Sequence, residues 1–354
     1  MRWGPVARRW ALALILAPVI ARADAFERIS PEDAGYSSEK LQGLKAFLQA
    51  SGSDSLLLLH DGKVFFEWGD IHRKLLVHSI RKALLSGLYG HLALSRDLDL
   101  SQTLDQLGVD DEPLRLSPAE KLATVQDVLQ SRSGVYHPSA AESEGMSQRR
   151  PERGSHPAGT FFYYNNWDFN VAGAVFEQWA GRRLYDVFNE AIAQPLGMLD
   201  YHHRIGALEG PADVPTAEDD GFYQFERSQS RFPAYHFRLS AHDLALYGQL
   251  MLAEGAWKGR QLVSADWIRR STQPRSVVQA EYGLAYGMLW DVVVPARAGE
   301  KPAFFHTGVD VHLLAVYPER KLVMVHRVNT DGPYKFNEGD LYQVIRQVHG
   351  ARGP

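Results

Sequence analysis

The 354-residue chain contains no cysteine. That excludes disulfides, a thiol nucleophile, thiolate metal ligation and a lipidated cysteine anchor. No internal repeat and no low-complexity stretch is present, which argues against a solenoid or a flexible array. Charge is scattered: 38 Lys and Arg against 42 Asp and Glu give a formal net charge of −4. Without clustered Lys and Arg there is no surface for phosphates, and nucleic acid is not an expected partner. Long apolar runs are also scarce. One lies at residues 11–20, shorter than the roughly 20 residues that cross a bilayer.

That run has a context. Arg2, Arg8 and Arg9 precede it and the small-x-small triplet Ala21-Arg22-Ala23 follows, the pattern of a cleavable export signal over residues 1–23. The expectation is a periplasmic or secreted protein with no stable membrane anchor. Arg8-Arg9 fits either the general or the twin-arginine route. Removal of the segment takes four Arg and no acid, leaving a formal charge of −8. With 45% hydrophobic and 23% charged residues, the remainder is ordinary globular material for one or two domains, and without disulfides it relies on its core.

Ser37 can cap a helix over about 38–49, with Leu41, Leu44, Phe47 and Leu48 on one face. Residues 55–59 and 64–68 read as strands joined by a turn at Asp61-Gly62. From about 75 to 270 the pattern is mostly helical, with apolar spacing over 122–130, 171–179, 184–192 and 241–253. The last third changes to short β-prone runs at 286–294, 303–306, 312–317 and 322–328, then a closing helix at 341–348. This order predicts an α+β fold: an antiparallel sheet flanked by helices (residues 24–75 and about 280–354) with a helical subdomain (about 76–279) beside it.

Three short patterns could carry chemistry. In Ser79-Ile80-Arg81-Lys82 a hydroxyl and an amine stand at i and i+3, on one helical face. A desolvated lysine there can titrate low enough to take the hydroxyl proton. By itself the pattern is equally that of a helix cap. Ser37-Ser38-Glu39-Lys40 matches it too, but Ser79 alone precedes an apolar, buried-looking helix. Tyr164-Asn165-Asn166 offers a phenol for proton transfer and an amide for a substrate carbonyl or the lysine; equally, it could be core aromatics and a turn. His306-Thr307-Gly308 ends a β-prone run and could let substrate lie along the backbone, or be an ordinary strand end.

Together, Ser-x-x-Lys, Tyr-x-Asn and His-Thr-Gly, in that order, resemble the three-motif set of the penicillin-binding-protein and class C β-lactamase family of serine hydrolases, which also holds esterases and D-alanyl-D-alanine carboxypeptidases. Residues 53–68 resemble its opening hairpin, Ser131-Arg132-Ser133-Gly134 its Thr-Ser-Gly turn, residues 159–166 its Gly-Thr-x-Phe-x-Tyr-Ser-Asn block, and residues 239–245 its Ser-Ala-x-Asp-Leu-Ala helix start. Counting from Gly159 favours Tyr164 and Asn166 over the overlapping Tyr163 and Asn165. The resemblance implies Ser79 as nucleophile, Lys82 and Tyr164 as proton-transfer groups, and Asn166, His306, Thr307 and Gly308 as substrate contacts. The amides of Ser79 and Val309 would form the oxyanion hole.

Two departures bear on substrate. Arg81 is bulky inside the first motif and needs a partner such as Asp168 or Glu142. His306 replaces a common Lys and weakens the charge that would hold a substrate carboxylate. Both favour an ester, a small amide or a D-amino-acid peptide over a β-lactam. A penicillin-binding carboxypeptidase, a β-lactamase and a non-catalytic cell-wall-peptide binder remain the alternatives. No cofactor is expected, and Tyr201-His202-His203 and His236…His242 lack the helix-spaced pairing of a zinc site. Residues 213–235, with Pro211, Pro215 and Pro233 in or beside them, read as a long loop bordering the active site.

Overall fold

A computed structural model describes residues 26–210 and 212–353; the expected export signal lies outside them. Fourteen strands are formed among the described residues: β1 (Ser55–His60), β2 (Lys63–Gly69), β3 (Leu75–Leu76), β4 (Ile205–Leu208), β5 (Gly221–Gln224), β6 (Ala234–Leu239), β7 (Ala256–Trp257), β8 (Arg260–Gln261), β9 (Ser276–Gln279), β10 (Leu284–Tyr286), β11 (Asp291–Val293), β12 (Ala303–Gly308), β13 (His312–Tyr317) and β14 (Leu322–Arg327). The α-helices are α1 (Ser38–Ser51), α2 (Arg81–Leu92), α3 (Val125–Leu129), α4 (Glu144–Arg149), α5 (Asn166–Ala180), α6 (Leu184–Phe188), α7 (Gln194–Leu196), α8 (Ala241–Leu252), α9 (Ala265–Ser271) and α10 (Glu338–Gly350).

The main body is an eight-stranded antiparallel sheet in the order β2-β1-β14-β13-β12-β11-β10-β9. Its central strands read as nearly unbroken apolar runs because both faces are covered. Leu56 and Leu58 of β1 pack with Leu44 of α1 and Val344 of α10; Leu57 and Leu59 face the other core, with Leu246 and Leu250 of α8. Helix α8 lies on β1, β13 and β14. Its Gly248 sits so close that an added Cβ would be 2.6 Å from Val323. The opening hairpin turns through Asp61 and Gly62, both with positive φ, the backbone that a two-residue hairpin loop needs.

Two sequence expectations are corrected. Residues 286–294 form no single strand: β10 and β11 pair with each other around Gly287 to Leu289, with Leu289 at φ 63°. The middle of the chain, read as mostly helical, also holds strands that the sequence did not show. A second sheet, β3-β6-β5-β4, stands there with α2, α5 and α6 packed near it. Among the described residues no helix is long and apolar enough to cross a membrane.

Candidate active site

The segment that leads into α2 is unusual. His78 adopts φ 49°, a left-handed conformation that costs a non-glycine residue about 1 kcal/mol or more, and the chain then enters a single 3₁₀ turn, His78–Ile80, before α2. That kink brings Ser79 to the start of the helical run, half-buried at the edge of a cavity of about 460 Å³. One turn on, Lys82 is fully buried and donates from Nζ to Ser79 Oγ over 2.7 Å. Its ammonium position lies 4.7 Å from the Tyr164 ring centroid and 4.5 Å from that of Phe169.

Burial pushes the Lys82 amine well below its usual range; Arg81 next to it acts in the same direction, and Asp291 opposes them. Burial acts oppositely on Tyr164, raising its phenol well above the usual value, although a hydrogen bond with Ser79 pulls it back in part. The site therefore juxtaposes a hydroxyl, an amine that readily gives up its charge, and a phenol that keeps its proton.

A turn behind the cleft positions the second motif. Ser131, at φ 55°, donates from Oγ to the Tyr163 carbonyl over 2.7 Å and accepts from the Asn165 amide over 3.0 Å. Tyr164 and Asn166 then line the cleft. The overlapping pair turns elsewhere: Tyr163 Oη donates to the Met146 carbonyl, and Asn165 caps α5 while donating to the Val135 carbonyl. Asn166 makes no hydrogen bond to Lys82. Its Nδ2 donates to the Ala141 carbonyl, and its buried Oδ1 has no partner among the described residues.

The third motif closes the cleft from the sheet. Gly308 passes so near the Ser79 turn that an added Cβ would lie 2.5 Å from the Val77 carbonyl oxygen and 3.2 Å from His78 Cβ. Thr307 and Val309 line the cleft. His306 does not, which corrects its expected place as a substrate contact. Alternation along β12 turns residues 304, 306 and 308 inward, and His306 lies 1% exposed beneath Tyr164, with ring centroids 6.2 Å apart. Its Nδ1 is 3.0 Å from the Thr307 carbonyl and 3.7 Å from Asp291 Oδ2. Burial, reinforced by Lys82, holds its imidazole near a pKa of about 3, so it is neutral.

Several lining residues had no motif to announce them: His78, Ala141, Ser143, Met146, Arg149, His236, Asp291 and Asp310. Asp291 carried one signal, a lone acid inside an apolar β-prone run. Burial raises its carboxyl to about 7, with Lys82 acting against that rise. The expected partners of Arg81 are also corrected. Asp168 is bound by Ser133 and Glu142 by Arg150; Arg81 instead donates to Asn170 Oδ1 over 3.1 Å and stacks 4.5 Å from the Tyr235 ring centroid. Residues 213–235 are not one long loop, since β5 runs through them. Their link to the site is indirect: Glu226 accepts from the Ala141 amide. The segment that covers the cleft is 141–149, including α4.

Among the described residues one cluster could hold a cation: His72, Asp200 and His242 bring their donor atoms within 4.8 Å of one another. None of them lines the cleft, and His72 pairs with Asp200 at 3.0 Å.

The beta-lactamase family model matches residues 45–349. The chain belongs to the beta-lactamase family. It is a serine hydrolase, of the family that acts on small ester and amide substrates. No curated protein sequence matches it. Solved structures share its fold at low identity. A Bacillus anthracis protein assigned as a 6-aminohexanoate-dimer hydrolase aligns over 92% of this chain and 86% of its own, with a TM-score of 0.65 and 18% identity. A penicillin-binding protein homologue from Caulobacter crescentus aligns over 90% and 99%, with a TM-score of 0.61 and 16% identity. EstCE1, described as a hydrolase with promiscuous acyltransferase activity, aligns over 88% and 98%, with a TM-score of 0.59 and 17% identity.

Proposed function

We propose that the protein is an exported esterase or amidase that works through an acyl-Ser79 intermediate. The observation that carries the reading is the 2.7 Å contact between Ser79 Oγ and a lysine whose burial favours its neutral form. Lys82 is then the base that takes the hydroxyl proton, because Tyr164 is held protonated and cannot do so. Ser79 Oγ bonds to the substrate carbonyl carbon, and the amides of Ser79 and Val309 receive the oxyanion. As the ester or amide bond breaks, the proton held by Lys82 passes through the Tyr164 hydroxyl to the leaving group. Water then attacks the acyl-serine by the same route in reverse, releasing the acid and restoring the hydroxyl. Asn166 Oδ1, buried and without a partner among the described residues, accepts from a donor on the substrate.

His306 supports the choice of substrate class. A neutral, buried imidazole supplies no fixed positive charge for the carboxylate of a β-lactam or of a D-alanine terminus. The deciding experiment is hydrolysis of p-nitrophenyl butyrate by the mature protein and by Ser79→Ala. Turnover lost only in the variant supports the acyl-serine route; equal activity in both overturns it. Nitrocefin turnover faster than that of the ester, or a stable adduct with a fluorescent penicillin, would move the reading to a β-lactamase or a penicillin-binding carboxypeptidase. Export is supported by the pattern at residues 1–23 and is read from the first residue of the protein recovered outside the cytoplasm, expected to be Asp24.

A further inference from the structure

A second cavity, of about 680 Å³, adjoins the catalytic cleft and shares Met146, Arg149 and Tyr164 with it. One wall is Phe161-Phe162-Tyr163; the other is β9, the outermost strand of the large sheet. Phe161 is 40% exposed, Val278 45% and Val277 69%. Single exposed apolar side chains are ordinary on any protein. Lining one groove that adjoins the Ser79 cleft, they form a surface suited to an apolar ligand.

The groove is held at a fixed width. Arg132 spans it, donating to the Gly159 carbonyl at 2.6 and 3.0 Å and to Ser276 Oγ at 2.8 Å. Two other arginines on its walls, Arg149 and Arg275, are exposed and make no ion pair among the described residues. Elsewhere the exposed arginines commonly find acids, as Arg182 does with Glu190 and Arg204 with Glu218. The groove's lining holds Arg132, Arg149 and Arg275 and no acid, whereas Asp291 and Asp310 line the catalytic cleft and not the groove. An anionic group is therefore favoured in the groove, where every charged lining residue is an arginine.

We propose that the substrate carries a carboxylate at the end of an apolar chain or ring, and that this part occupies the groove with its carboxylate on Arg149 and Arg275. Its uncharged or cationic part lies towards Asp291 and Asp310. This places the recognised carboxylate away from the His-Thr-Gly strand, where His306 is neutral. The inference rests on the serine-hydrolase reading of the cleft.

Two ester pairs test it, because either side of the scissile bond can lie in the groove. In the first, p-nitrophenyl hexanoate is compared with the p-nitrophenyl monoester of adipic acid. In the second, the butyrate ester of 4-hydroxybenzoate is compared with that of its methyl ester. In one pair the anionic member should have a kcat/KM roughly tenfold above its neutral partner, the scale of a charge-assisted contact. The ratio should shrink with added salt, fall to about one in Arg149→Gln/Arg275→Gln, and survive in part in Arg275→Lys. Ratios near one in both pairs, or a ratio unchanged in the double variant, overturn the proposal while leaving ester hydrolysis intact. If no ester is turned over, calorimetry decides: 4-phenylbutyrate should bind the wild type more tightly than 4-phenylbutanamide, and the double variant should lose that difference. Equal binding of acid and amide by the wild type refutes the groove as an anion site.

Discussion

Gly308→Ala is a sharp test of how the sheet sets the nucleophile. The added Cβ would stand 2.5 Å from the Val77 carbonyl oxygen, 3.1 Å from His312 Cδ2 and 3.2 Å from His78 Cβ. Ordinary contact begins at 3.4 Å, so strand β12 and the Ser79 turn must separate by about 0.9 Å. Neither partner yields easily. The turn is already strained at His78 and tied through its ring to Thr330 at 2.8 Å, while β12 is paired with β13 at Gly308 and with β11 up to Phe305. Overpacking of this kind costs about 1–3 kcal/mol of stability. The larger effect falls on catalysis, since a displacement near 1 Å between the nucleophile and the candidate oxyanion amide costs on the order of 100-fold in rate. Denaturant melts and p-nitrophenyl butyrate kinetics separate the two. The expected result is a folded protein with a kcat/KM lower by about two orders of magnitude and a KM changed far less. Wild-type kinetics in Gly308→Ala would show that β12 does not position Ser79, and the account of the third motif would fall.

Three further outcomes follow from the same site. With Lys82 as base, the rate rises with pH through the pKa of its amine; Arg81 lowers that pKa, so Arg81→Met should move the acidic limb of the kcat/KM profile to higher pH. An unmoved limb would remove Lys82 from the role of base. Asp291→Asn acts in the opposite direction: its carboxylate raises the Lys82 pKa, so the limb should fall to lower pH, and a rise would contradict the assignment. Val309 holds φ 42° beside Asp310 at φ 61°, a poor conformation for a β-branched residue. Val309→Gly should therefore gain about 1 kcal/mol in urea unfolding, and a loss of stability would show that its side chain contributes more than its backbone costs.

Much of the scaffold was legible because its signals are local. Ser37 caps α1 by accepting from the Lys40 amide, as the pattern predicts for the first Ser-x-x-Lys copy, and Ser240 caps α8 in the same way. The Asp61-Gly62 turn and the strands β12, β13 and β14 needed only neighbouring residues to declare themselves. The second sheet did not. Its β3 has two residues, and β6 carries His236 and Arg238, buried in a way that no alternation reveals. Arg238 is accommodated by Asp331, 93 residues away. A buried charge is legible only once its partner is known.

The site divides along the same line. Order and spacing of residue types determined which family the chain falls in and which residues belong to its motifs, because the i, i+3 geometry of Ser79 and Lys82 is a property of any helix. Which way each side chain points was decided by tertiary packing. β12 alternation buries His306 and exposes Thr307; the turn at Ser131 to Gly134 presents Tyr164 and withdraws Tyr163; and the fold carries Asp291, Asp310 and Arg149 to the cleft from three separate elements. Proton affinities belong to that second class. Lysine, tyrosine and histidine have near-constant values in water, and only burial against particular neighbours makes Lys82 prone to lose its charge, Tyr164 hold its proton and His306 neutral.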